Sequence, residues 1–358
     1  MRRIVFAILA AAPWLLAGAL ARAEVDYKIV TASERGTYIQ IGRDLARFVA
    51  PEADVALEVL PSAGSAENVK RLRYEPGVKL ALVQSDVYQA FLDQAAAGNA
   101  EAGNLIKPLR VIMPLYNEEI YFFARADSPL EYVHEIRGKR INIGPVGSGT
   151  ALTATTLYRL MFKEPLRDAQ ATFLSNEDAL VKLLQGDGLD VVAVVAGQPA
   201  KLLVDMKPES RQYIKLLKFD ARQPESQAAL KTYFPATVRA SSYPNLLTED
   251  LPALAVKAYL VTYDYALKNT QSHLANFARS LCRNFGSLQT SGHPKWREVD
   301  LSLPNPGRGW LYFEPTSKQL RNCANASYAG AAAVRRTCSM HERILGLCEQ
   351  PSTAAVTR

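Results

Sequence analysis

Four short loops carry the residues whose types and spacing could do chemistry: Gly36-Thr37-Tyr38, Gly64-Ser65, Gln84-Ser85-Asp86 and Gly147-Ser148-Gly149-Thr150. Each sets a small hydroxyl-bearing residue at the start of a helix-like stretch, three of them beside glycine. Glycine lets a ligand approach the backbone, and a Ser or Thr hydroxyl donates or accepts. A helix start also presents free N–H groups and a partial positive charge, which suit carboxylates and phosphates. The chemistry on offer is therefore anion binding. One such Ser or Thr is an ordinary helix cap. Four loops spread over both halves of the chain point instead to a shared site.

Within these loops Ser148, with a glycine on each side, is best placed to meet an anion, and Arg35 is a candidate carboxylate partner. Tyr38 is placed to contact a ligand or to cover its helix start. Asp86 would repel a carboxylate, so it suits a ligand amine or caps its own helix. Glu67 and Asn68 read as shaping their loop. Catalytic readings fit poorly. Val146 and Thr150 occupy the outer places of a G-x-S-x-G elbow around Ser148. His134-Glu135 and His341-Glu342 lack the second histidine of H-E-x-x-H, and the glycines at 144, 147 and 149 run in the wrong order for a dinucleotide fingerprint. No metal and no cofactor is implied.

The elements that must position the loops alternate in type. Tyr27–Thr31, Val55–Leu60 and Lys79–Val83 read as strands, each followed by a loop and a helix-like stretch; the first helix carries Ile41, Leu45, Phe48 and Val49 on one face. Leu109–Tyr116 and Ile120–Ala124 read as two strands separated by Asn117-Glu118-Glu119. The pattern then restarts: strand Arg140–Ile143, helix Ala151–Phe162, strand Ala171–Leu174, a helix capped by Ser175, and the apolar strand Leu189–Val195, buried on both faces. Pro235 and Pro244 are expected to interrupt any regular element over Tyr233–Asn245. Ala253–Thr262 reads as a strand or helix returning toward the first half, and His273–Leu288 as a helix. Repeated strand–loop–helix units argue for parallel sheet flanked by helices. In such sheets ligands sit beyond the carboxyl ends of the strands, where these loops fall.

Residues 1–23 have the form of an export signal: Arg2 and Arg3, an uncharged run from Ile4 to Leu20, then Ala21-Arg22-Ala23. A spanning anchor fits less well, because the run is about 17 residues long and contains Pro13 and Gly18. The whole chain carries a formal charge of +7, of which Arg2, Arg3 and Arg22 supply three, leaving +4 after cleavage. Nothing clusters that charge, so nucleic-acid binding is not expected. Cys282, Cys323, Cys338 and Cys348 are spaced too widely for a zinc site and suggest two disulfides in an exported protein, with three pairings open.

At these loops the chain resembles a known family. Gly36-Thr37-Tyr38-x-x-x-Gly42, Gly64-Ser65-Ala66-Glu67-Asn68 and Gln84-Ser85-Asp86 look like the first domain of TAXI-type solute receptors. Leu115-Tyr116-x-Glu118, Arg137 to Gly144 and Gly147 to Thr150 resemble the crossover and second domain, and Gly188-Leu189-Asp190 through Gly197-Gln198-Pro199 a later signature. The resemblance covers roughly Tyr27 to Trp310. It implies an α/β fold of the type II periplasmic-binding-protein kind, a two-domain clamshell with two crossover strands. One domain would combine 24–117 with 256–320, the second would be 118–255, and a cysteine-containing helical tail would occupy 321–358. Thr37, Tyr38, Ser65, Gln84, Ser85, Asp86, Tyr116, Ser148, Gly149 and Thr150 would line the cleft, with Gln198 at its rim and Arg35 nearby. The family replaces Ala32-Ser33-Glu34-Arg35 with a glycine-rich stretch, which puts glutamate itself in doubt as ligand. The implied role is a monomeric periplasmic receptor that binds a small anionic solute, a dicarboxylate or amino acid, and delivers it to the inner-membrane subunits of a TRAP-type transporter without converting it. Rival readings are a sensor that reports its ligand to a membrane kinase, an exported hydrolase using Ser148, and an envelope protein with a vestigial cleft.

Overall fold

A computed structural model describes residues 24–333 apart from Asp187 and Arg308. The export-signal reading, Cys338 and Cys348 fall outside the described residues. Strand β1 (Val25–Val30), helix α1 (Thr37–Phe48), β2 (Val55–Leu60), α2 (Ser65–Tyr74), β3 (Val78–Gln84) and α3 (Asp86–Ala96) follow one another as three strand–helix units. Helix α4 (Ala100–Ile106) leads to a long strand, β4 (Leu109–Arg125). The second series is β5 (Ile141–Asn142), α5 (Gly149–Phe162), β6 (Ala171–Thr172), α6 (Asn176–Gln185) and β7 (Val191–Ala196). Shorter elements follow: α7 (Lys201–Val204), β8 (Ile214–Leu216), α8 (Pro224–Ala229) and β9 (Phe234–Val238). A second long strand, β10 (Leu251–Tyr263), then precedes α9 (Lys268–Arg283), α10 (Phe285–Ser291) and α11 (Glu314–Ala333).

The strands form one ten-stranded sheet in the order β2-β1-β3-β10-β4-β7-β5-β6, with β8 on β4 and β9 on β10. Pairing is parallel within β2-β1-β3 and within β7-β5-β6. The long antiparallel pair β4–β10 joins the two sets. Toward one end β10 pairs with β3 through Ala258–Val261; toward the other it pairs with β9 through Leu251–Ala255. The chain thus forms two α/β halves connected by two strands that run through both. Near-continuous apolar sequence on β4 and β10 suits strands covered on both faces.

Each half has core on both sides of its sheet. Ile29, Ile41, Leu45, Leu80, Phe277 and Trp296 cluster on one side of the first half, and Val30, Val69, Val83, Phe91 and Trp310 on the other. The second half has one cluster around Phe122, Leu157, Tyr158 and Tyr233 and another around Phe123, Leu183, Val192 and Leu251. Burying each Leu, Ile or Phe contributes roughly 1.5–3 kcal/mol, enough to explain why α1 and α9 turn their apolar stripes inward. The segment after β10 therefore returns to the first half, and a disulfide between Cys282 and Cys323 ties α9 to α11 across 6.0 Å between Cα atoms.

Two sequence expectations fail at the crossover. Asn117-Glu118-Glu119 is not a break: it pairs with Lys257, Val256 and Ala255 of β10 inside a continuous strand. The two acids tolerate this buried place because each finds partners there, described below. Tyr233–Asn245 does contain a strand, β9, with Pro235 opposite Leu254. Among the described residues its strand partner is β10 alone, so Pro235 lies on an edge strand, where proline is accommodated. Helix α5 also begins two residues earlier than expected, because Gly149 already lies in the first turn.

Candidate functional site

Between the halves lies a cavity of about 160 Å³. It is lined by Ser33, Arg35, Gly36, Thr37, Tyr38, Gly64, Ser65 and Gln84 from the first half, by Glu118 of β4, and by Ser148, Gly149, Thr150, Ser175, Asn176 and Glu177 from the second. Pro145, Val194, Val195, Ala196, Ala200 and Leu202 complete the wall. Helices α1, α2, α5 and α6 all start at this cavity. The caps of α5 and α6 are used internally: Ser148 Oγ accepts from Ala151 N at 3.0 Å, and Ser175 Oγ from Asp178 N at 3.1 Å. In contrast, α1 and α2 begin at Gly36 and Gly64, which carry no side chain to cap them. Of their first-turn amides, Glu67 N of α2 already bonds Gly147 O; the rest are the donors, and the helix dipoles the positive ends, at the cavity.

The halves are in direct contact around the cavity. Thr37 Oγ1 donates to Gly197 O at 3.2 Å, and Glu67 N to Gly147 O at 3.1 Å. A Cβ on Gly149 would stand 2.0 Å from Gln84 Oε1 and 2.8 Å from Ser65 Oγ. Gly64, at φ +129°, is also tightly placed: its Cβ would be 3.0 Å from Gly149 N. Glycine at both positions lets backbone meet backbone. Arg35 bridges the rim from outside, pairing with Asp205 at 2.9 Å and Glu177 at 3.7 Å. All three side chains are more than a third exposed, so this bridge contributes little by itself.

Two buried carboxylates stand at the junction without a cation bonded to them among the described residues. Glu118, 3% exposed, accepts from Tyr38 Oη at 2.7 Å, with the Gln84 amide beside it. Burial pushes its pKa up to about 7, Glu119 adds to the rise, and Tyr38, Gln84 and Lys295 oppose it. Asp86 Oδ2 accepts from Thr153 Oγ1 at 2.7 Å and Tyr233 Oη at 3.0 Å, both from the second half, while Oδ1 has no hydrogen-bond partner among the described residues. Burial raises Asp86 to about 6 against those two bonds.

Glu119, the next residue on the strand, points to the opposite face and is fully engaged. It accepts from Gln198 N at 2.8 Å, Gln198 Nε2 at 3.1 Å and Lys295 Nζ at 3.1 Å. Lys295, 0% exposed, sits in the short 3-10 turn Pro294–Glu298 and also reaches Glu298 at 3.0 Å. Its ammonium lies 5.7 Å from the centre of the Tyr116 ring.

Of the residues singled out by sequence, Arg35, Thr37, Tyr38, Ser65, Gln84, Ser148, Gly149 and Thr150 come together on the cavity wall. Ser85, Asp86, Tyr116 and Gln198 do not line it. Tyr116 is wholly buried with its hydroxyl unpartnered among the described residues; Gln198 holds Glu119 together with Thr237 O and Arg239 N. Asn68 and Glu67 brace their loop, through Thr31 O and Leu82 O and through Ala63 N. Sequence reading quotes Glu118 in a crossover motif and between two strands but gives it no place in the site, and it misses Lys295, Thr153 and Tyr233. The available signal is a pair of acids embedded in seventeen mostly apolar residues.

Among solved structures the chain is similar to the periplasmic binding protein BugD, with 15% identity over 87% of this chain and 98% of that one and a TM-score of 0.48. A periplasmic transporter gives 11% identity, coverage of 88% and 99%, and a TM-score of 0.45. The regulatory domain of Synechocystis CcmR, solved with 2-PG, gives 14%, coverage of 70% and 95%, and 0.40. A family model described as NMT1-like matches residues 29–274, and the chain belongs to the NMT1-like family.

Proposed function

We propose that the protein is an extracytoplasmic solute receptor that closes its two halves over a small carboxylate and presents the closed form to a TRAP-type membrane transporter. The observation that carries this is the pair of helix starts, α1 and α2, left without a side-chain cap at a cavity roofed by the other half. The TAXI-like order of motifs supports the transporter partner, and the leader-like first 23 residues support a periplasmic location. No helix among the described residues is long and apolar enough to cross a membrane. The halves 24–117 with 256–320 and 118–255 would hinge where β4 and β10 cross; Glu118 and Val256, at the two boundaries, are paired opposite each other. Binding without conversion fits Ser148, whose oxygen is spent on its own helix start and whose cavity contains no histidine among the described residues.

Native mass spectrometry of gently purified protein is expected to show one retained metabolite, released on denaturation. Gly149→Ala tests closure directly, since its Cβ meets Gln84 and Ser65 only when the halves are shut. We expect at least a tenfold loss of affinity for the retained metabolite, with the melting temperature of the empty protein within a few degrees of wild type. Unchanged affinity would remove the cavity from the binding reading.

A further inference from the structure

The two walls of the cavity differ in chemistry. The first-half wall is mostly polar, with the α1 and α2 starts, Ser65 and Gln84; the second-half wall sets an aliphatic stretch of Pro145, Val194, Val195, Ala196, Ala200 and Leu202 beside Ser148, Thr150, Ser175, Asn176 and Glu177. The charged lining residues are two acids, Glu118 and Glu177, against one guanidinium, Arg35, and Arg35 is already paired at the rim. A dicarboxylate would bring a second negative charge to a lining with no free cation among the described residues. Glu118 is the reverse case: a buried acceptor beside the cavity, held by a short hydrogen bond from Tyr38. The aliphatic stretch of the second-half wall, Val194 to Ala196 with Ala200 and Leu202, offers a second carboxylate nothing.

We infer that the cavity takes a neutral α-amino acid with an aliphatic side chain, its carboxylate on the α1 and α2 starts, its ammonium on Glu118 and its side chain against the second-half wall. This rests on the receptor reading above and narrows its ligand. The size agrees: an apolar cavity of roughly 150 Å³ holds benzene, so about 160 Å³ suits a ligand of roughly six to ten heavy atoms. Two backbone-aimed helix starts satisfy one carboxylate, and aliphatic contact satisfies a side chain without further polar groups.

Glu118 also gives the ligand class a pH signature. The groups that bear on it are Tyr38 from α1, Gln84 from β3, Glu119 on its own strand and Lys295 from the 3-10 turn. A carboxyl raised to about 7 is mostly protonated at pH 6 and mostly ionised at pH 8. An ammonium pairs with the ionised form, so affinity rises about tenfold across that range and binding near pH 7 releases a proton.

Isothermal calorimetry at pH 8 with leucine, valine, glutamate, succinate and the deaminated analogue 4-methylpentanoate tests the assignment. Leucine or valine is expected to bind at least tenfold more tightly than glutamate or succinate. Glu118→Gln is expected to cost leucine at least tenfold while changing 4-methylpentanoate less than threefold. Equal loss for both ligands would overturn the ammonium contact. Tighter binding of the dicarboxylates would overturn the aliphatic assignment and leave the receptor reading standing. Binding of none of them, together with no metabolite retained in native mass spectrometry, would sink both. Should Glu118→Gln fail to fold, wild-type leucine binding measured from pH 6 to 8 in buffers of different ionisation enthalpy still decides: a flat affinity with no proton release overturns the contact.

Discussion

Glu118 and Glu119 are neighbours on one strand, yet they live in opposite electrostatic worlds. A strand sends successive side chains to opposite faces. One face delivers Glu119 to a buried lysine and two Gln198 donors; the other delivers Glu118 to a tyrosine and an open cavity. Burial raises both carboxyls, and Lys295 opposes the rise at both, but Lys295 is bonded only to Glu119 of the two. A charge that is fully neutralised by its own protein has nothing left for a ligand. A charge that is buried and incompletely matched is where a ligand's complementary group gains most. The difference separates a joint that holds the crossover from a group that, on the receptor reading proposed above, would meet a ligand in the cleft.

The comparison breaks most visibly at Lys295. Lys295→Met leaves Glu119 without its buried counter-charge, and removing one partner of a buried pair costs about 3–5 kcal/mol. The melting temperature is expected to fall by more than about ten degrees, by the usual relation of a few degrees per kcal/mol. The double variant Glu119→Gln with Lys295→Met should recover most of that loss, because only Glu298, half-exposed to water, is left without its lysine. A double variant as unstable as the single one would show that Lys295 stabilises by packing alone. Glu118→Gln, by contrast, is expected to leave the melting temperature within a few degrees.

The same pair shows what was legible beforehand. The two-half α/β architecture followed from alternating periodicities and from apolar runs such as Val191–Ala196, because period and burial are local properties of sequence. The loops at Thr37, Ser65 and Ser148 were legible for the same reason: glycine and hydroxyl residues mark helix starts. Glu118 was not, because three polar residues in a row read as a turn unless their partners are known. Those partners, Tyr38 and Lys295, are 80 and 177 residues away from Glu118 in sequence, so only the fold reveals them. Tyr233 and Thr153 closing on Asp86 were hidden in the same way.

Asp86 sharpens the comparison from the side of closure. Its carboxyl is raised from 3.8 to about 6 chiefly by burial, and residues of the second half close over it. A raised carboxyl means that the folded, closed form binds the proton more tightly than the unfolded chain. Its contribution to the stability of this folded, closed form is full below about pH 4 and is lost as pH rises through about 6. A rise of that size corresponds to about 3 kcal/mol between those limits. In wild-type protein the melting temperature is therefore expected to drop between pH 4 and 7 relative to Asp86→Asn, which cannot titrate there. Parallel pH profiles for the two proteins would show that the halves do not bury Asp86 in solution.

Tyr38→Phe is the smallest of these changes and separates reading from holding most cleanly. The phenol donates to Glu118 at 2.7 Å and favours its ionised form. Without that bond the carboxyl rises further, so a smaller fraction is ionised at pH 7. The lost bond is worth about 1–1.5 kcal/mol. Affinity for an amine-bearing ligand at pH 7 is then expected to fall five- to tenfold and to recover at higher pH. The melting temperature should hardly move, because a protonated Glu118 needs no counter-charge and the aromatic ring still fills its place. Calorimetry from pH 7 to 9 checks this: a loss that persists unchanged to pH 9 would assign Tyr38 to packing and leave Glu118 unlinked to the ligand.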